Sequence, residues 1–201
     1  MKVRSVVFAV VLGLLLASPA LATQKYLIDP VHTYVGFAAR HMMVSTVRGQ
    51  FKEFSGEIML DDKDITKSSV SVTIKAASVD TKVERRDKDL RSPNFLAVEQ
   101  YPEITFKSKR VEKQGDGYVA VGDLTLRGVS KEVALPFTLS GPVVAFGKRI
   151  GVESEITINR HDYGVSWNNM LEGGGLIIGP EIKITLNVEA VEAPPEPKPR
   201  P

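Results

Sequence analysis

The segment VALPFTL, Val133 to Leu139, puts Val133, Leu135, Phe137 and Leu139 at every second position, and IKITLNV, Ile182 to Val188, repeats the pattern with Ile182, Ile184, Leu186 and Val188. Side chains alternate across a strand with period two, so each segment reads as an antiparallel strand with one buried face. Similar rows occur outward from these two: Val152, Ser154, Ile156, Ile158; the paired runs Val119, Val121 and Leu124, Leu126; Ile104, Phe106, Ser108; and Val70, Val72, Ile74, Ala76. Gly49 to Leu60 adds a strand with an expected irregularity at Ser55-Gly56. TYVGFAARH, Thr33 to His41, adds the last, with Val35, Phe37, Ala39 and His41 on one face.

Turn residues separate the rows at Asp61 to Asp64, Gly115-Asp116-Gly117, Arg127 to Ser130, Gly141-Pro142 and Phe146-Gly147-Lys148. Short turns between consecutive rows favour an up-and-down meander. The fold class predicted is all-β, an eight-stranded antiparallel β-barrel, a size whose interior holds one small ligand. Asp80 to Leu96 breaks the pattern, with dense mixed charge and sparse apolar residues. It predicts a short helix from about Lys82 to Arg91, stopped before Pro93, with its charges on a solvated face.

The two ends read differently. Lys2 and Arg4 precede an apolar run from Val6 to Ala17, then Pro19 and Ala20-Leu21-Ala22. This is the pattern of a secretory signal peptide over residues 1–22, its apolar run shorter than the roughly 20 residues that span a bilayer. The domain then covers 23–192, without a stable membrane anchor, and export to the periplasm or beyond is expected. Residues 193–201, APPEPKPRP, read as a disordered proline-rich tail.

Lys2 and Arg4 account for the whole excess of 26 basic over 24 acidic residues, so the exported chain is formally neutral. Net charge therefore gives no reason to expect nucleic acid as a partner. The chain has no cysteine, which removes thiol nucleophiles, disulfides and thiolate metal sites. The three histidines show no close ligand spacing, and no metal or other cofactor is expected. Gly128-Val129-Ser130 and Gly164-Val165-Ser166 lack the G-x-S-x-G elbow of a hydrolase, and Gly173-Gly174-Gly175 lacks the lysine of a phosphate loop.

DPVHTYVGFAARH with VRGQF, then RDKDLRSPNFLAVEQYPEITFKS, VGDLTLRGVSKEVALPF and NRHDYGVSW form a long ordered set between about Tyr26 and Val191. On these motifs the chain resembles the YceI-like family of exported lipid-binding proteins. Phe95-Leu96 stands where that family usually has two phenylalanines. The resemblance implies a lipocalin-like barrel holding a long amphiphile, typically a polyisoprenoid with a polar head; an isoprenoid or fatty-acid-like molecule is the partner expected.

A tail of about 25 heavy atoms at roughly 0.3 kcal/mol each would contribute about 7.5 kcal/mol, near micromolar affinity without strong polar contacts. Candidate wall residues are Val35, Phe37, Phe51, Phe106, Leu135 and Phe137. Candidate polar contacts are His41 first, then Arg40, Arg160, Asp162, Trp167 and Asn168, with His32 and His161 nearby in sequence. For Arg160 and Asp162 the alternative is a structural ion pair or turn cap; for Trp167 it is a cover over a barrel end or a core role. The rival function is a small enzyme acting on a lipid, and a homodimer is compatible with the fold.

Overall fold

A computed structural model describes residues 23–172 and 174–194; the expected leader, Gly173 and the tail from 195 lie outside the described residues. Its strands are β1 (Gln24–Ile28), β2 (Tyr34–His41), β3 (Ser45–Phe51), β4 (Phe54–Leu60), β5 (Ser69–Lys75), β6 (Val79–Asp80), β7 (Glu103–Gln114), β8 (Gly117–Leu126), β9 (Val129–Val144), β10 (Lys148–Asn159) and β11 (Ile178–Glu192). One α-helix, α1 (Glu84–Arg91), and three short 3-10 turns interrupt them among the described residues.

The strands resolve into a closed eight-stranded antiparallel barrel, because β1/β2, β3/β4 and β5/β6 are three long strands each broken once. β1 lies along β11 with Ile28 opposite Ala190, and β2 resumes on the same edge with Tyr34 opposite Asn187. β4 and β3 follow on β1 and β2, then β5 and β6 on β4 and β3. The remaining strands are sequential neighbours, and β11 closes on the first. The up-and-down order therefore follows the eight rows of the sequence.

The breaks form where hydroxyl side chains replace ladder partners. Thr33 Oγ1 accepts from Glu189 N at 3.1 Å and donates to Glu189 O at 3.2 Å, spanning the gap between β1 and β2. Ser78 Oγ accepts from Lys52 N at 3.2 Å and Glu53 N at 3.1 Å, joining the second break to the third. The irregularity expected at Ser55-Gly56 is thus displaced to Lys52-Glu53, while Ser55 and Gly56 pair regularly with Thr73 and Val72. Gly56 serves close approach instead: a Cβ there would lie 2.7 Å from the Ser71 carbonyl oxygen.

A tighter approach occurs at Gly122, where a Cβ would meet the Lys107 carbonyl oxygen at 2.3 Å and Ser108 Cα at 2.6 Å. This is where the register shifts between Ser108 and Arg110. Backbone atoms in a ladder cannot swing aside as a side chain can. Gly122→Ala is expected to cost about 1–3 kcal/mol, measured by urea unfolding of the full chain.

Helix α1 begins two residues later than the sequence predicts, because Lys82 takes a positive φ of 63° and its N–H donates to Asp80 Oδ1 at 2.9 Å. Nor is its charged run wholly solvated. Asp87 is buried and accepts from Thr81 N at 2.8 Å and Thr81 Oγ1 at 2.5 Å. Arg91 reaches the Ala77 and Val79 carbonyls, so the charges fasten the helix to β6.

The Lys82 backbone N–H, then its ammonium, hold the Asp80 carboxyl at about 2, below its ordinary 3.8. A lowered carboxyl pKa favours folding above the unfolded value, and the contribution disappears as pH falls through the folded one. Asp80→Asn should therefore flatten the dependence of melting temperature on pH between about 4 and 2, measured by circular dichroism.

Candidate functional site

The inward residues of all eight long strands surround a cavity of about 190 Å³. Its wall includes Val35, Phe37, Phe51, Phe106, Leu135 and Phe137, together with Ile156, Ile184 and Leu186. Phe37 and Phe51 lie with ring centroids 5.7 Å apart, and Tyr118 stacks outside the lining on Phe137 at 5.6 Å. At the end where β1 begins and β11 ends, Tyr26, Ile58, Leu60, Ile150 and Ala190 pack into a floor. Tyr26 and Ala190 have no exposed surface there.

The other end is roofed by the segment after α1 and by the loop from Arg160. Phe95 is buried, and the half-buried Trp167 ring sits 5.3 Å from it. Neither ring is part of the cavity lining. Arg127 joins the two halves of the roof, donating to the Gly164 carbonyl and to the Pro93 carbonyl at 2.8 Å.

Arg160 organises this roof from inside. Its side chain is 4% exposed and donates to the carbonyls of Gly179 (3.0 Å), Val165 (2.7 Å), Trp167 (3.0 Å) and Ile178 (3.2 Å). Burial pulls its pKa below the ordinary arginine value. The ion pair with Asp162 weighed from sequence is not formed among the described residues: Asp162 is exposed, and four carbonyls satisfy the guanidinium.

The remaining polar candidates also lie outside the cavity wall. Asn168 Nδ2 donates to the Ile178 carbonyl at 2.7 Å, while its Oδ1 accepts from the N–H groups of Asn169 and Ile178. Arg40 is exposed and donates to the Met43 carbonyl at 2.7 Å and to Thr46 Oγ1 at 3.2 Å. His41, half-buried, ends β2 opposite Ser45 and Ile178, beyond the part of β2 that lines the cavity. His161 is exposed.

His32 lies in the first strand break, its Nδ1 2.9 Å from Asp29 Oδ2. Asp29, His32 and Glu189 gather three potential metal ligands. Arg149 lies among them, at 2.9 Å from Asp29 and 2.5 Å from Glu189. Hydrogen bonds from His32 and Arg149 hold the Asp29 carboxyl well below the usual range. The guanidinium already supplies the positive charge a cation would bring.

Sequence reading missed Arg127, whose pattern is that of any turn residue, and the unpartnered hydroxyl of Ser154. Ser154 is a cavity-wall residue with a buried Oγ that has no hydrogen-bond partner among the described residues. Its place in the row Val152, Ser154, Ile156 was the available signal.

A closed up-and-down barrel around an apolar cavity, roofed by a loop and a short helical segment, defines a protein of the lipocalin-like structural class. The chain belongs to the YceI-like family, whose YceI-like domain matches residues 26–190. It is 37% identical over 187 residues to Protein YceI of Salmonella newport, covering 90% of this chain and 93% of that protein. The crystal structure of Burkholderia cenocepacia BcnA shares the fold with a TM-score of 0.72 at 22% identity, covering 82% of this chain and 99% of that one. A polyisoprenoid binding domain from Saccharophagus degradans, implicated in plant cell wall breakdown, also shares it, with a TM-score of 0.60 at 15% identity over 85% of this chain and 99% of that one.

Proposed function

We propose that the protein is a periplasmic carrier that sequesters or transports a polyisoprenoid or similar long amphiphile inside the barrel. The observation that carries this reading is the continuous aliphatic and aromatic wall, drawn from every long strand, around an internal cavity. Family membership and the fold shared with a polyisoprenoid binding domain support the ligand class. The leader pattern of residues 1–22 supports export. No helix among the described residues is long and apolar enough to cross a membrane.

The described wall contains no histidine, carboxylate, lysine or arginine, an arrangement suited to holding a molecule and poorly supplied for transforming one. This favours the carrier over a lipid-acting enzyme. At about 190 Å³ the cavity is smaller than the roughly 300–1,000 Å³ of drug-sized sites, so a long tail enters as wall side chains rotate. Phe37, Phe51, Phe54, Phe106 and Phe137 offer the largest volumes to displace.

Native mass spectrometry of the protein isolated from the periplasmic fraction of its own host tests the proposal. A co-purified amphiphile in stoichiometric amount is expected. Recovery only from the cytosol would overturn the localisation, and a ligand-free protein that fails to bind added farnesol would overturn the carrier.

A further inference from the structure

We infer that the tip of the β2–β3 hairpin, with the adjoining loop of residues 168–178, is a face that docks reversibly on an anionic phospholipid surface. The face lies outside the barrel and does not depend on what the interior holds. Met43, Val44 and Met170 are 63%, 80% and 76% exposed, and Met42 is exposed beside them. The two segments are tied together, Met42 N donating to the Ile177 carbonyl at 2.7 Å. A Cβ built on Gly175 would lie 3.8 Å from Met43 Cγ and 3.9 Å from Leu171 Cδ1, so side chains of both segments meet over that glycine. Apolar residues exposed singly are ordinary, whereas a cluster of them marks a surface that something covers.

The backbone of the tip points the same way. Val44 N donates to the His41 carbonyl at 3.1 Å, closing a turn whose central residues, Met42 and Met43, take positive φ of 50° and 63°. Positive φ at both central positions is the pattern of a type I′ turn, which favours asparagine and glycine and strains a longer side chain. Two methionines there act against the local preference of the fold and place flexible apolar side chains in solvent.

Charge selects the occupant. Residues 40–48 and 168–178 carry Arg40 and Arg48 against one carboxylate, Glu172. Both arginines are exposed, on the strands just behind the tip. Neither forms an ion pair among the described residues, and Arg40 donates to neutral acceptors, the Met43 carbonyl and Thr46 Oγ1. An apolar tip backed by uncompensated guanidinium groups matches a bilayer interface, where the tip enters the acyl boundary and the cations meet phosphates. The few apolar side chains fall well short of the roughly 20–30 residues a side of a stable protein–protein interface. The β9–β10 hairpin at the other end of the barrel also exposes Val144 and Phe146. Its cations are engaged, Arg149 with Asp29 and Glu189, and Lys148 with Gln24 Oε1 at 2.6 Å.

Flotation of the exported chain with vesicles of phosphatidylethanolamine and phosphatidylglycerol, and with vesicles of phosphatidylcholine alone, tests this. Wild type should partition to the anionic vesicles at least fivefold more than to the neutral ones. Met42→Asn with Met43→Asn should lower anionic partitioning at least tenfold while the melting temperature stays at or above wild type, since asparagine accepts positive φ. Arg48→Gln should lower it about fivefold, the worth of one cation near an anionic surface. Phe146→Ser, on the opposite hairpin, should leave it unchanged.

Undiminished flotation of the double methionine variant overturns the inference, as does a wild type that stays in the aqueous fraction. Loss of flotation in Phe146→Ser overturns it by moving the docking face to the other end. Sedimentation without vesicles supplies the remaining arm: a monomer is expected, and a dimer that the double methionine variant dissociates would seat a second copy on the tip and overturn the assignment.

Discussion

Replacing Arg160 with leucine is expected to cost about 3–4 kcal/mol of stability and to lower the melting temperature by roughly 10 °C for a domain of this size. The change keeps an apolar stem but removes the donors that satisfy the carbonyls of Val165, Trp167, Ile178 and Gly179. Buried acceptors left unpaired incur the desolvation penalty without return. The loss should concentrate in the roof, so Trp167 fluorescence should change at a lower temperature than the far-ultraviolet strand signal. Asp162→Asn should leave both transitions near wild type, since Asp162 is exposed. If Asp162→Asn matched Arg160→Leu, the roof would depend on the ion pair after all.

Leu135→Glu is expected to prevent capture of farnesol and to destabilise the barrel by several kcal/mol, because it places a carboxylate in a wall without a cation. Leu135 sits opposite Ala120 on β8, within the lined cavity. The comparison is Lys183→Glu, on the outer face of β11, where Lys183 forms a 2.7 Å ion pair with Glu155. Exposed pairs contribute little, so that substitution should change stability by about 1 kcal/mol or less and leave capture intact. Titration and chemical denaturation of the two variants side by side check the assignment of faces. Equal effects would contradict it.

Most of the barrel could be read from alternation. Val133 to Leu139 and Ile182 to Val188 each present the same face in the structure that period two assigns them, and eight rows yield eight long strands. Strand breaks were less legible, because they depend on hydroxyls far away in sequence: Thr33 answers to Glu189, and Lys52 to Ser78. A local pattern therefore pointed to Gly56, whose role is close packing.

The site divides along the same line. Apolar wall positions follow from the period, but polar residues took their roles from partners that sequence spacing does not reveal. Arg160 reads as a ligand contact until its four carbonyls are visible. Ser154 reads as a small interruption of an apolar row until its lack of a protein partner is visible.

The three strand breaks lie side by side across one flank, and their stitching has a mechanical consequence. Along β7 to β11 the strands are unbroken and their ladders show register shifts at Ser108/Arg110 and Arg149/Gly151, whereas across the flank Thr33 and Ser78 side chains and single backbone hydrogen bonds bridge the gaps. At the gaps themselves a few hydroxyl contacts and single backbone bonds stand where a ladder would be, while ladders hold the flank on either side. Native-state hydrogen exchange should find the amides of Lys52 and Glu53 opening well before those of β8 and β10. Early opening there would make this flank a compliant seam beside the unbroken strands of β7 to β11, and the width of the interior adjustable from one side.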